Sequence, residues 1–459
     1  MLLHRFAGVL ALLAPVFAAR PSLVPRAPTD PRSDPFYTPS GDWQSTAPGT
    51  ILAERTIVPA VASFIDIAVE GYQLLYRTNG VNDSDPSHSV TTILVPQNYQ
   101  RDKLVSVNVY EDSFSAKCAP SYSVQKGAQL FKDIAFTYQQ LFMLTLLNEG
   151  WVVVVPDHEG PDVAFTSGFV EGHAVLDSFR ATLNYDRLGL SKNARVAGYG
   201  YSGGGLATGW AAQLQPSYAP DLNVAGWAMG GVVANISSWF RYLDGTSGAG
   251  FVMAGFAGIV ESYDQLHWVK DARTSAGRAA WSTAQDLCMY ENVRHFSNEI
   301  IFSDKYFRNG GTFLNNPEIS SVLANLTLGR DSSLAPTAPV YMFHASRDET
   351  VPYTMGLSTA QDWCRNGAKV QFSTYTSVFM QHQNTEFFSH PDVVNFLRRR
   401  FSNQPFISQC RYDNVRDPWF DPLVLGQSAV QFSRQVLDLI TGSVSKLDRV
   451  YKYDQQTST

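Results

Sequence analysis

The 459-residue chain carries 35 Lys and Arg against 41 Asp and Glu, a net charge of −6, with 44% hydrophobic, 13% aromatic and 17% charged residues. That is enough apolar material for one large decorated domain or two, and the missing basic field argues against a nucleic-acid partner. No internal repeat or low-complexity block interrupts the chain; only its ends are compositionally unusual.

Residues 1–18 read as a secretory signal peptide. His4 and Arg5 give a weakly positive start, Phe6 to Phe17 an apolar stretch, and Val16-Phe17-Ala18 a small-residue cleavage site. The stretch is too short to anchor in a bilayer, and no later one reaches the roughly 20 apolar residues of a spanning helix. A secreted, extracellular, soluble chain starting near Ala19 is expected. Residues 19–50, rich in Pro, Ser, Thr and Asp, suit an extended N-terminal arm or a trimmed pro-segment better than packed structure; the main domain is expected over 51–459.

Seven apolar, β-branched runs read as buried strands of a parallel sheet: Val90 to Val95, Leu104 to Tyr110, Gly150 to Pro156, Ala194 to Gly198, Val224 to Met229, Val340 to His344 and Val370 to Tyr375. Helical patterns lie between many of them, at Tyr138 to Glu149, Val170 to Tyr185, Leu206 to Gln215 and Thr354 to Asn366. This alternation predicts an α/β fold, a mostly parallel sheet flanked by helices.

Gly200-Tyr201-Ser202-Gly203-Gly204 stands between the fourth strand and a helix. A G-x-S-x-G elbow needs that context, because only small residues clear a turn sharp enough to lift a serine oxygen above the sheet. The same residues also fit a dinucleotide fingerprint, Gly198-x-Gly200-x-x-Gly203, with Asp221 near the distance of its ribose-binding acid. That reading implies an NAD-dependent oxidoreductase. Its usual place is the start of a nucleotide domain rather than mid-chain around a serine, and a purely structural glycine turn is the third reading.

Between about 235 and 336 the alternation breaks. The run Gly248 to Gly258 is apolar and small, and Ser237 to Tyr242 is helical and aromatic. An insertion of this size suits a helical cap or lid over an acyl pocket, or an ordinary helical subdomain.

A serine nucleophile needs a histidine to take its proton and a buried acid to orient the ring. In the α/β-hydrolase order both follow the serine. Asp348 leaves the Val340 strand where the acid belongs, with Glu349 as competitor. His382, about eight residues past the Val370 strand, is the expected base. His344 lies at a strand end, and His390-Pro391-Asp392 reads as a helix start that points its ring elsewhere. For the developing oxyanion, Gly203 offers one backbone N–H and the loop Tyr110-Glu111-Asp112-Ser113 the second, assigned to Asp112; a simple polar turn is the alternative there.

An exported chain favours disulfides, and Cys118, Cys288, Cys364 and Cys410 allow three pairings that spacing does not resolve. No CxxC or His/Cys cluster points to zinc, and neither a metal nor an organic cofactor is expected. Asn82, Asn235 and Asn325 begin glycosylation sequons and are expected at the surface.

Taken together, the segments Val109 to Ser113, Cys118 to Ser123, Asp157-His158-Glu159-Gly160, the elbow, Pro216 to Asn223 and Asp348 to Tyr353 resemble the secretory lipase family of fungi, of the yeast lipase A type. The resemblance implies an α/β-hydrolase with a helical cap, the triad Ser202, Asp348 and His382, oxyanion donors Gly203 and Asp112, and disulfides Cys118 with Cys288 and Cys364 with Cys410. The region around His382 and the cap follow the family loosely. The family also includes esterases of the trichothecene C-3 deacetylase type. The expected function is a secreted carboxylic-ester hydrolase acting through an acyl-enzyme on a small-molecule ester or lipid, as a monomer that contacts a lipid interface. A non-catalytic secreted binding protein is the reading outside enzymes.

Overall fold

The computed structural model describes residues 27–129 and 134–415. The expected signal peptide lies outside them. Ten strands form one sheet in the order β1-β4-β5-β7-β6-β8-β9-β10-β11-β12. In chain order these are β1 (Ile51–Ile57), β4 (Val69–Asn79), β5 (Pro86–Pro96), β6 (Lys103–Asn108), β7 (Val152–Pro156), β8 (Arg195–Tyr201), β9 (Val224–Gly230), β10 (Val340–Ala345), β11 (Val370–Tyr375) and β12 (Arg411–Val415). The short β2 (Ala60–Val61) and β3 (Ile65–Asp66) form a separate pair.

From β7 to β12 the neighbours run parallel, whereas β1/β4, β4/β5 and β5/β7 are antiparallel. The run Val90 to Val95 is therefore corrected from a parallel to an antiparallel strand. Composition alone does not separate the two, since β5 is buried along most of its length like the parallel strands of the sheet.

Helices cover both faces: α1 (Pro120–Ser123), α2 (Ile134–Asn148), α3 (Gly168–Leu183), α4 (Gly203–Tyr218), then, after the insertion, α11 (Tyr353–Arg365) and α12 (His382–Phe401). The four valines of β7 show how the sequence makes this sandwich. Val152 and Val154 join the core shared with α3 and α4, while Val153 and Val155 join the core with α2 and α12. Strand period two feeds both layers, and all four valines are fully buried.

Between β9 and β10 the chain leaves the sheet as α5 (Ile236–Leu243), α6 (Ala249–Ser262), α7 (Trp268–Ala272), α8 (Ser275–Ala284), α9 (Met289–His295) and α10 (Pro317–Asn325). The small-residue run anticipated here forms α6. A Cβ on Gly258 would come within 2.6 Å of the Phe165 backbone, so its glycines let the insertion lie directly on the loop before α3. Cys118 joins Cys288, tying the insertion to the body, and Cys364 joins Cys410. Among the described residues no helix is long and apolar enough to cross a membrane.

Two features differ from the local reading. Of the expected arm, residues 19–26 lie outside the described residues, and 27–50 lie against the body at several points: Asp34 caps a 3-10 turn at Pro35–Tyr37 and pairs with Arg55, and Tyr37 Oη lies 2.7 Å from Ser121 Oγ. Polar composition concealed these contacts with the body, although many residues of the segment remain exposed. The helix expected to start at Pro391 starts instead at His382, with Pro391 inside it. The tertiary packing of α12 tolerates the backbone hydrogen bond that proline forgoes.

Candidate active site

β8 delivers Ser202 to the first turn of α4. Its backbone is held at φ 56°, ψ −122°, a left-handed-side conformation that is strained for a residue with a side chain. The flanking glycines make the turn feasible: a Cβ on Gly200 would lie 2.0 Å from the Gly204 carbonyl oxygen, and one on Gly204 1.9 Å from that of Asn108. The dinucleotide reading fails at the other two glycines of its fingerprint. The space beside Gly198 is taken by the Trp227 ring and that beside Gly203 by the Asp112 carboxylate, while Asp221 pairs with Arg180.

His382 Nε2 lies 2.9 Å from Ser202 Oγ, and its Nδ1 2.7 Å from Asp348 Oδ2. Asp348 is saturated. Its Oδ1 accepts from the Thr350 and Val351 backbone N–H groups at 3.0 and 2.7 Å, and His344 Nε2 stands 3.2 Å from Oδ2. Burial opposes the Asp348 charge, but His382 and His344 more than offset it and hold the carboxyl well below its usual range. Burial likewise opposes a proton on His382, and the Asp348 carboxylate overcomes it, raising the imidazole above its ordinary value. Such a line of hydrogen bonds lets an imidazole draw a proton from the serine while its own charge is balanced by the acid.

Glu349 does not compete for the ring. Its Oε2 accepts the His382 backbone N–H at 2.9 Å, while the Tyr201 hydroxyl donates to the His382 carbonyl at 2.7 Å. Both backbone groups of His382 are thus pinned. Sequence reasoning missed Tyr201 and this use of Glu349; the only available signal was that Tyr201 fills one of the two variable positions of the elbow. His390 lies deep in α12 with Nε2 2.6 Å from Thr145 Oγ1, and burial lowers its pKa to about 3. It does not reach Ser202's partners.

Gly203, first residue of α4, presents a first-turn N–H that has no intrahelical acceptor. Asp112, with φ 45°, sits against it, since a Cβ on Gly203 would lie 1.8 Å from Asp112 Oδ1. The structure therefore brings together Ser202, Asp348, His382, Gly203 and Asp112. His158 braces the strand end that leads into this loop, its Nε2 2.7 Å from the Val109 carbonyl oxygen, while Asp157 Oδ1 accepts the Ser121 N–H of α1 at 2.8 Å. Glu159 is raised well above the ordinary carboxyl range by burial and by the charges of Glu111, Glu171 and Asp112.

Asp157 yields a pH prediction. Burial pushes its carboxyl up to about 7, the Ser121 hydrogen bonds offsetting only part. An unfolded Asp ionises near ~3.9. The stability supplied by the neutral group is complete below about pH 4 and is lost as pH rises toward about 7. Calorimetry should show melting temperature falling across that window in the natural protein and falling less in Asp157→Asn; equal slopes would contradict the assignment.

Of the sequon asparagines, Asn82 and Asn325 are exposed. Asn235 is only half-exposed, and its Oδ1 caps α5 by accepting the Ser238 N–H at 2.9 Å.

The family model for secretory lipases matches residues 124–409. A secreted triacylglycerol lipase of Malassezia furfur is 53% identical over 92% of this chain and 90% of its own length. Another from Malassezia globosa is 48% identical over 91% and 89%. Among solved structures, Candida antarctica lipase A superposes with a TM-score of 0.80 at 28% identity, covering 89% of this chain and 95% of its own.

Proposed function

Because the chain belongs to the secretory lipase family, and is thus a secreted α/β-hydrolase acting on carboxylic esters, we propose that it cleaves lipid esters, triacylglycerols first among them, through an acyl-enzyme on Ser202. The observation that carries this reading is the continuous line from Ser202 Oγ through both nitrogens of His382 to Asp348. His382 takes the hydroxyl proton as Oγ attacks the carbonyl carbon. The backbone N–H groups of Gly203 and Asp112 receive the oxyanion, where each such donor is worth roughly 3 kcal/mol. The imidazolium then protonates the departing alcohol. In the second half His382 takes a proton from water as it attacks the acyl carbon, then returns that proton to Oγ as the acid leaves and Ser202 is restored.

Ser202 is only 6% exposed, and the helical insertion at 235–336 is the segment we propose a long-chain ester displaces to reach the hydroxyl. Relatives named as triacylglycerol lipases support the lipid reading over a trichothecene-type deacetylase. The test is a rate profile on esters from acetyl to palmitoyl, with and without an oil interface, beside acetylated trichothecenes. Rates rising toward long acyl chains and at the interface are expected. A preference for the acetylated trichothecene would overturn the lipid assignment while leaving the ester chemistry in place.

A further inference from the structure

Helix α12 turns three titratable residues toward the interior at intervals of four: His382, Glu386 and His390, at 7%, 0% and 4% exposure. The first serves the reaction and the third bonds Thr145. Glu386 is gripped at both oxygens: Oε1 accepts from Gln139 Nε2 at 3.0 Å and Oε2 from the Tyr110 hydroxyl at 3.2 Å. The Gln139 amide is itself oriented, because its Oε1 accepts the Tyr110 backbone N–H at 2.9 Å. Tyr110 opens the segment that ends at Asp112 beside Gly203. Three elements thus converge on one carboxyl: the Asp112 loop, α2 and α12. Burial pushes that carboxyl up to about 7, with Gln139, His382 and Tyr110 pulling the other way.

We propose that Glu386 is a positioning residue which, through Gln139 and Tyr110, holds the Asp112 loop in register with the helix start that carries His382. A closed polar network enforces one geometry where an apolar side chain would only fill space. Oxyanion donors matter most as charge develops, so a loosened loop lowers kcat rather than raising KM.

The inference rests on the ester-hydrolase reading of Ser202, and the experiment separates the two. In the full chain, kcat is measured per active site titrated with an organophosphate, for Glu386→Leu, Glu386→Gln and Tyr110→Phe. Glu386→Leu is expected to lose roughly 10- to 100-fold in kcat on a short-chain ester with KM within about twofold, and to bind a boronic acid transition-state analogue correspondingly less tightly. Glu386→Gln keeps partners for Gln139 and Tyr110 and recovers most of the rate. If the leucine variant does not fold, Tyr110→Phe, which deletes one contact, should still lose a few-fold in kcat. Normal kcat per titrated site in Glu386→Leu or in Tyr110→Phe, or a glutamine variant as impaired as the leucine one, overturns the proposal. Failure of the natural protein to be titrated at Ser202 would instead count against the ester-hydrolase reading.

Discussion

A Ser202→Ala variant is expected to stay folded and to lose roughly 10⁴- to 10⁶-fold in kcat on a chromogenic short-chain ester, the scale seen when an acyl-enzyme nucleophile is removed. The residual rate would come from the Gly203 and Asp112 donors acting on water. Alanine preserves the strained backbone of the elbow, φ 56° and ψ −122°, without adding bulk. Strain of this kind costs on the order of 1–3 kcal/mol in residues with a Cβ. Glycine at the same position relaxes it, so Ser202→Gly should melt above Ser202→Ala while being equally inactive. A Ser202→Ala enzyme that keeps more than about a hundredth of its kcat would remove the acyl-enzyme reading, since the hydroxyl would then not be the group attacked.

Replacing His382 by alanine is expected to cost roughly as much as losing Ser202, because nucleophile and base act as one unit and their losses do not add. The double variant should therefore be hardly slower than either single one. The change also strips the Asp348 carboxylate of its 2.7 Å partner, leaving His344 and two backbone N–H groups to hold a buried charge. His390→Ala is the contrast. Its ring packs on Phe142 at 4.5 Å and bonds Thr145, so its removal should lower melting temperature while kcat per titrated active site changes only a few-fold. Reversal of these two results would move the base to His390.

Much of the site was legible in the sequence because its chemistry is local in the chain. The elbow announces itself through glycines whose Cβ atoms would collide with backbone oxygens. Asp348 and His382 follow from strand ends and from the order in which an α/β-hydrolase presents its acid and base. The parallel strands were readable from runs such as Val152 to Val155, buried on both faces. Other parts were not legible, for physical reasons. β1 alternates only weakly between exposed and buried positions and pairs antiparallel at the sheet edge, so its pattern carries little signal. Residues 27–50 look like solvent-loving chain until Asp34 meets Arg55 and Tyr37 meets Ser121. Proline after His390 reads as a helix start by local rules, and only the packing of α12 against the sheet overrides them. Tyr201, Glu349 and Glu386 act through partners distant in sequence, the Tyr110 to Glu386 contact spanning 276 residues, and no spacing rule reaches that far.

The most direct test of the account is to react the protein with an organophosphonate and locate the adduct by peptide mass spectrometry. A single adduct on the peptide carrying Ser202 is expected, formed in step with loss of esterase activity and slowed by orders of magnitude in His382→Ala. An adduct on any other serine, or full inhibition with Ser202 unmodified, would contradict it.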